Sequence, residues 1–208
     1  MKLVILGANG RTGQLVLQAA LDKGMDVTAV VRSTGKKPTI SHERLKFVVG
    51  APCEGDFLKH TLRGQDAVIS SLGGRRPTKA ATSVYYRSAD TLVDAACDNG
   101  LRRVLVTSTA LLFREQNMMG KILRRLVPNV VRSATRMEDI LKASGLNWTS
   151  ARPGFLNDAK GMAYRAQRDS LPENGTSVSR QALAAFLIDA VENPNTGCAA
   201  YGVSNAVA

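Results

Sequence analysis

Short, continuously apolar runs alternate with helix-length stretches along the whole chain, and this alternation limits the possible folds more than any other feature. MKLVIL (1–6), MDVTAVVR (25–32), LKFVV (45–49), DAVISSL (66–72), RRVLVTS (102–108) and NWTSAR (147–152) read as strands, with AAYGVS (199–204) as a late, short one. Arg11 to Gly24 reads as a helix with Leu15, Val16, Ala19 and Ala20 on one face, and a longer helix is expected from about Thr82 to Asn99. Gly24, Gly64, Gly100 and Gly145 fall where helices should stop before the next strand. Strands that are apolar along their whole length must be covered on both faces, which implies a parallel sheet between two layers of helices. Right-handed crossovers then give a doubly wound α/β fold. No linker or repeat divides the chain, so one domain over 1–208 is expected, and 208 residues at 44% hydrophobic content suffice for a core without staples.

The expected architecture is Rossmann-like, with strand order 3-2-1-4-5-6 and a seventh strand at the edge. Ligands of such sheets bind beyond the carboxyl ends of the strands, which singles out residues 7–13, 32–37, 70–76, 107–111 and 152–157. The first of these reads Gly7-Ala8-Asn9-Gly10-Arg11-Thr12-Gly13. Glycines at this spacing, after a strand and opening a helix, permit a left-handed turn and let backbone N–H groups approach a pyrophosphate. The second strand ends on Arg32-Ser33 with Lys36 and Lys37 beyond. A carboxylate there would hydrogen-bond a free ribose hydroxyl, whereas a guanidinium can grip a 2′-phosphate in two-pronged fashion. The expected cofactor is therefore NADP(H).

Cys53, Cys97 and Cys198 form no C-x-x-C pair, and His42 and His60 stand apart from them, so neither a disulfide framework nor a metal site is expected. The net charge of +11 favours an anionic partner, whether nucleic acid, acidic lipid or a small polyanion. Its basic residues are scattered, with short clusters at Arg75-Arg76, Arg102-Arg103 and Lys121 to Arg125, and no aromatic residues interleave with them. A small anionic molecule is thus expected rather than nucleic acid or membrane, with the protein a monomer or homodimer. No apolar run approaches the ~20 residues of a membrane helix. The chain enters a strand at once without a signal peptide, which makes the cytoplasm the expected compartment.

GANGRTG (7–13), VVRS (30–33), GQDAVISSLG (64–73), RRVLVTSTALL (102–112), RMEDILKASGLNWTSARPG (136–154) and SRQALAAFL (179–187) together resemble the atypical short-chain dehydrogenase/reductases, over nearly the whole chain. Within that group the chain looks most like the NADPH-dependent flavin reductase/biliverdin-IXβ reductase branch, with VTSTALLF as one of the nearest echoes. The resemblance implies that Gly7, Asn9, Gly10, Arg11, Thr12 and Gly13 cradle the phosphates and that Arg32 and Ser33 take the 2′-phosphate. It implies that Ser71, Leu72, Gly73 and Gly74 flank the adenosine ribose with Arg75 close by. Thr107, Ser108 and Thr109 would lie beside the nicotinamide, and Arg152, Pro153, Gly154 and Phe155 would close over it. Two departures stand out. Gly50-Ala51-Pro52 replaces the usual Gly-Asp after the third strand, and Gly154 stands where the biliverdin-reductase branch carries a histidine.

The Tyr-x-x-x-Lys signature of the classical and extended enzymes is absent, since none of Tyr85, Tyr86, Tyr164 and Tyr201 has a lysine four positions on. Proton delivery to a carbonyl by an activated phenol is then without a device, whereas hydride transfer to a flat conjugated acceptor needs stacking more than an acid. Ser108 is the candidate catalytic hydroxyl, or else it bonds the backbone at the strand end. Arg152 would bind a substrate carboxylate or phosphate, or pair with Asp158 as scaffold. Segments 113–130 and 155–175 are the candidate substrate cover, with Arg114, Met118, Met119, Phe155 and Tyr164 as contacts. The plainer reading of 113–130 is an amphipathic helix packing Ile122, Leu123 and Leu126 with its basic face in water. Flavin and linear tetrapyrroles such as biliverdin are the acceptors the resemblance implies. The alternative is an NmrA-like protein that senses NADP(H) without turning it over.

Overall fold

The apolar pattern resolves into two half-cores because successive side chains of a strand point to opposite faces. The computed structural model describes residues 1–33, 35, 38–74, 76–114 and 118–206. In β1 (Lys2–Leu6), Leu3 and Ile5 face α1 (Arg11–Asp22) and α7 (Arg180–Glu192), where they join Val16, Leu17, Leu183 and Leu187. Val4 and Leu6 face the other way, onto a cluster with Leu58 of α2 (Gly55–Leu62), Leu92 of α4 (Val84–Asp98) and Leu141 of α6 (Pro128–Ala143). Each fully buried Leu or Ile contributes roughly 1.5–3 kcal/mol.

One eight-stranded sheet runs in the order β3-β2-β1-β4-β5-β6-β10-β8. Its parallel members beyond β1 are β2 (Asp26–Val31), β3 (Leu45–Val49), β4 (Ala67–Ser70), β5 (Arg103–Thr107), β6 (Asn147–Pro153) and β10 (Ala199–Asn205). The doubly wound order 3-2-1-4-5-6 is thus present. The seventh strand, β10, is not the edge: β8 (Tyr164–Arg168) pairs antiparallel outside it, with Tyr201 opposite Arg168. β8 reads YRAQR, and three of its five residues are exposed, so it carries no apolar signature. β7 (Phe155–Asn157) and β9 (Ser177–Ser179) form a separate parallel pair.

The helix expected from Thr82 begins after a single turn, α3 (Lys79–Thr82), capped by the Thr78 hydroxyl. Segment 113–130 is two elements, α5 (Met118–Leu126) and the start of α6, which Pro128 opens because its missing N–H is not needed there. The packing expected of Ile122 and Leu126 is not found. No residue of α5 is buried, and these two are 47% and 70% exposed.

Arg103 shows how a basic residue can serve the scaffold. Its guanidinium is buried at the amino end of β5 and donates to Thr149 Oγ1 (2.8 Å), Ala190 O (2.5 Å) and Thr196 Oγ1 (2.6 Å). It thereby joins β5 and β6 to the carboxyl end of α7, where the helix dipole favours a cation. Burial pulls its pKa down to about 10, which leaves it charged at neutral pH.

Candidate functional site

The chain reverses direction across the sheet between β1 and β4, and the crevice at their carboxyl ends is where the glycine loop lies. Gly7 has φ +81, a left-handed conformation, and its carbonyl accepts from Gly10 N at 2.9 Å. α1 then starts with Gly10 as its cap residue and no side-chain capping bond. The first helical bond is Gln14 N to Gly10 O (2.9 Å), so the N–H groups of Arg11, Thr12 and Gly13 precede the helical ladder and point outward. A Cβ at Gly13 would lie 2.1 Å from Gly7 O, which is how closely the helix is drawn onto the loop. These features fit a pyrophosphate: free donors, positive helix end, and backbone at close approach.

Ser71 holds the two strand ends together. Its N–H and hydroxyl both donate to Leu6 O, at 3.0 and 3.1 Å. Leu72 borders Gly7; Gly73 faces α4, where a Cβ would lie 3.5 Å from the Tyr85 hydroxyl, and Gly74 is pressed on α3, where a Cβ would lie 2.9 Å from Ala81 O. Arg32 follows β2 directly, is exposed, and has no ion pair among the described residues. Ser33 beside it is half-buried. Lys36, Lys37 and Arg75 lie outside the described residues. The Arg11 side chain pairs with Asp158, which also accepts from Arg180 Nη1 at 2.7 Å.

Three hydroxyls end β5 with different fates. Thr109 Oγ1 accepts from Leu111 N (3.3 Å) and caps the short 3-10 turn over Ala110–Leu112. Thr107 Oγ1 and Ser108 Oγ are buried without a full hydrogen bond. The Ser108 backbone N–H donates to Ala151 O at 2.7 Å, so the strand-end bond belongs to its main chain, while its hydroxyl lies near Glu138 without completing a bond. Buried hydroxyls are ordinarily satisfied, and these two orphans lie at the carboxyl end of β5, on the side of the sheet where ligands of such folds bind.

Behind Ser108 lies a buried ion pair in which Arg152 is the expected scaffold cation, with Glu138 in place of Asp158 as its partner. Glu138 of α6 accepts from Arg152 Nε (2.9 Å), Arg152 Nη2 (2.5 Å) and Ser150 Oγ (2.7 Å), and it is fully buried. Arg152 also stacks on the Phe113 ring, 4.7 Å from its centroid. Burial pushes the Glu138 carboxyl up, but the bonds and charge of Arg152, with Ser150 and Ser108 nearby, outweigh it and hold the pKa below the usual range. Ser108 Oγ adds to this from a geometry short of a complete bond. Arg152 therefore pairs with Glu138 and not with Asp158, since α6 crosses directly behind β6 while Asp158 lies near α1. The available signal was a glutamate on the buried face of a helix, in register with Ala134, Met137 and Leu141.

Gly154 explains one departure from the resemblance. A Cβ there would sit 2.4 Å from Thr176 O, so the turn between β6 and β7 has no room for a histidine. Phe155, just beyond Pro153 and Gly154, is 55% exposed and is not a core ring. Arg114 is exposed, as are Met118 and Met119 at the start of α5. Tyr164 sits elsewhere: its hydroxyl donates to Asp189 at 2.8 Å and its ring meets Phe186 edge-on at 5.5 Å, over α7. Burial and the Asp189 carboxylate push its pKa up to about 12.

A family model described as NAD(P)H-binding matches residues 7–194. A Bacillus subtilis protein, the uncharacterized sugar epimerase YhfK, is 27% identical over 209 residues, spanning 98% of this chain and 94% of its own. An uncharacterized chloroplastic protein of Arabidopsis thaliana is 29% identical over 204 residues, spanning 91% of this chain and 71% of its own. Among solved structures, a wide-type short-chain dehydrogenase/reductase of Veillonella parvula in complex with NADP superposes with a TM-score of 0.77 at 22% identity, over 98% of this chain and 94% of that one. The family model spans most of the chain, and with the glycine cradle and the Rossmann-like fold it identifies the chain as a member of the NAD(P)H-binding family.

Proposed function

We propose that the protein is an NADPH-dependent reductase acting on a flat, conjugated, anionic acceptor such as a flavin or a linear tetrapyrrole. NADPH, when bound, supplies a hydride at its nicotinamide. Everything else falls to the chain. The N–H groups at the start of α1 hold the pyrophosphate, and Arg32 selects the 2′-phosphate. The observation that carries the reading is the buried Ser108 hydroxyl at the end of β5, which completes no hydrogen bond and has no Tyr-x-x-x-Lys pair in the sequence to act with it. A serine hydroxyl can orient an acceptor heteroatom and relay a proton from water, but it cannot act as the activated base that carbonyl–alcohol interconversion demands. For the same reason the epimerase name borne by the Bacillus relative is not carried over.

Arg114, Met118 and Met119 on one side, and Phe155 on the other, supply cationic and adaptable apolar surface for a planar acid. Arg152 is closed off by Glu138 and stiffens this wall instead of gripping the substrate. One observation favours the rival reading, a non-catalytic NADP(H) sensor. Glu138, the acid beside Ser108 among the described residues, is neutralised by Arg152 and is not free to donate or accept a proton.

Titration of the purified protein with NADPH and NADH, followed by turnover with flavins, biliverdins and quinones, tests both. The protein should prefer NADPH, and Arg32→Ala should lose about ten- to a hundredfold in NADPH affinity with NADH affinity unchanged. NADPH binding without turnover on any acceptor would sink the reductase in favour of the sensor. Ser108→Ala should lower kcat about tenfold or more at unchanged NADPH affinity; an unaltered kcat removes Ser108 from the chemistry.

A further inference from the structure

We propose that α5 and the groove behind it form a docking surface for an anionic lipid bilayer. A helix in a folded domain normally hides its apolar side, yet α5 hides none of its nine residues. Met118, Met119, Ile122 and Leu126 recur at helical spacing, so they share one face, and they are 75%, 61%, 47% and 70% exposed. The neighbouring faces carry Lys121, Arg124 and Arg125. With Arg132 of α6 these cations surround a groove of about 400 Å³ floored by Pro128 and Val131.

Charge decides what covers this face. Residues 118–137 contain five basic side chains and no Asp or Glu. Of the five, Arg136 alone has an ion pair among the described residues, with Asp90. A second copy of the chain would bring a like-charged groove against this one on a molecule of net charge +11, and repulsion opposes it. A nucleic acid would satisfy the cations but leave four apolar side chains in water, and α5 offers no aromatic ring for a base to stack on. An anionic bilayer satisfies both at once: acyl chains receive the Met, Ile and Leu side chains while phosphates lie among the Lys and Arg. The surface therefore amends the expectation, drawn from composition, that no membrane is a partner. It makes a peripheral contact, and no described helix is long and apolar enough to cross a membrane.

The test is flotation of the whole protein with vesicles of phosphatidylcholine alone and of phosphatidylcholine mixed with phosphatidylglycerol. Binding to the mixed vesicles but not the neutral ones is expected. Ile122→Ser with Leu126→Ser should abolish it, and each of Arg124→Gln, Arg125→Gln and Arg132→Gln should weaken it about fivefold, the equivalent of about 1 kcal/mol per cation. All five positions lie outside the cofactor cradle, so an unchanged NADPH affinity certifies the fold of every variant. Three results overturn the proposal: no binding to anionic vesicles, binding that survives the double serine variant, or retention on duplex DNA or RNA through the same arginines in place of vesicles. A dimer that dissociates in the double serine variant would equally overturn it by assigning the face to a second copy. Met118 and Met119 are also proposed acceptor contacts, so the variants leave both in place, and flotation and acceptor turnover are read as separate outcomes.

Discussion

Gly13→Ala should fold and yet lose NADPH affinity by about a hundredfold. The added methyl would lie 2.1 Å from Gly7 O and 2.8 Å from Gly7 C, both backbone atoms of the left-handed turn, and 2.8 Å from Ser71 Oγ. The two backbone atoms cannot swing aside as a flexible side chain would, so the first turn of α1 must back away from the loop by roughly 1 Å to reach ordinary contact distance. Overpacking of this kind costs about 1–3 kcal/mol, which a domain of this size tolerates. The donors of Arg11, Thr12 and Gly13 move with the turn, and a misplacement near 1 Å suffices for about a hundredfold loss where several bonds converge on one ligand. Calorimetric melting should show a modest fall in Tm, and fluorescence titration should show the large loss in affinity. A variant that binds NADPH like the wild type would remove the close helix–loop approach from the account of binding. Gly55→Ala is the control, since nothing described lies within 4 Å of the position a Cβ would take there, at the start of α2.

The cradle was legible in the sequence because each of its parts is a local rule: an apolar strand, glycines at fixed spacing, and a helix that begins at once. Sheet order was legible for a related reason, since continuous apolar strands joined by helices leave few topologies open. β8 escaped because its role is set by tertiary position: an edge strand needs one partner, and YRAQR earns its place by backbone bonds to β10. α5 escaped for the opposite reason. Periodicity reports that a helix has an apolar face, but says nothing of whether the protein covers it. Tyr164 falls within the candidate substrate cover 155–175, and only the antiparallel pairing of β8 on β10 brings its hydroxyl to Asp189. Glu138 was hidden by type: a glutamate in a helix is nearly always at the surface, and its partner Arg152 lies fourteen positions on in another element.

Removing the Glu138 carboxylate should be the most damaging single change to the fold. Arg152 is only 12% exposed and Glu138 1%, so Glu138→Ala leaves a guanidinium and the Ser150 hydroxyl in a dry site without their acceptor. Breaking one half of a buried pair costs about 3–5 kcal/mol, whereas replacing both halves by apolar side chains is often neutral. Glu138→Ala should therefore melt far below the wild type, and Glu138→Met with Arg152→Met should recover most of that loss. Failure of the double variant to recover would show that Arg152 has a further partner, the Phe113 ring being the nearest. Acidification reads the same pair. The Glu138 pKa is lowered on folding from an ordinary value of 4.5, so its stabilisation is complete above about that pH and is lost as the pH falls through the lower, folded value. Wild-type Tm should consequently drop more steeply below about pH 4.5 than that of Glu138→Gln, which has no proton to take up there. Parallel melting curves for the two across that range would mean that the pair does not titrate with the fold, and that Glu138 is held by packing instead of charge.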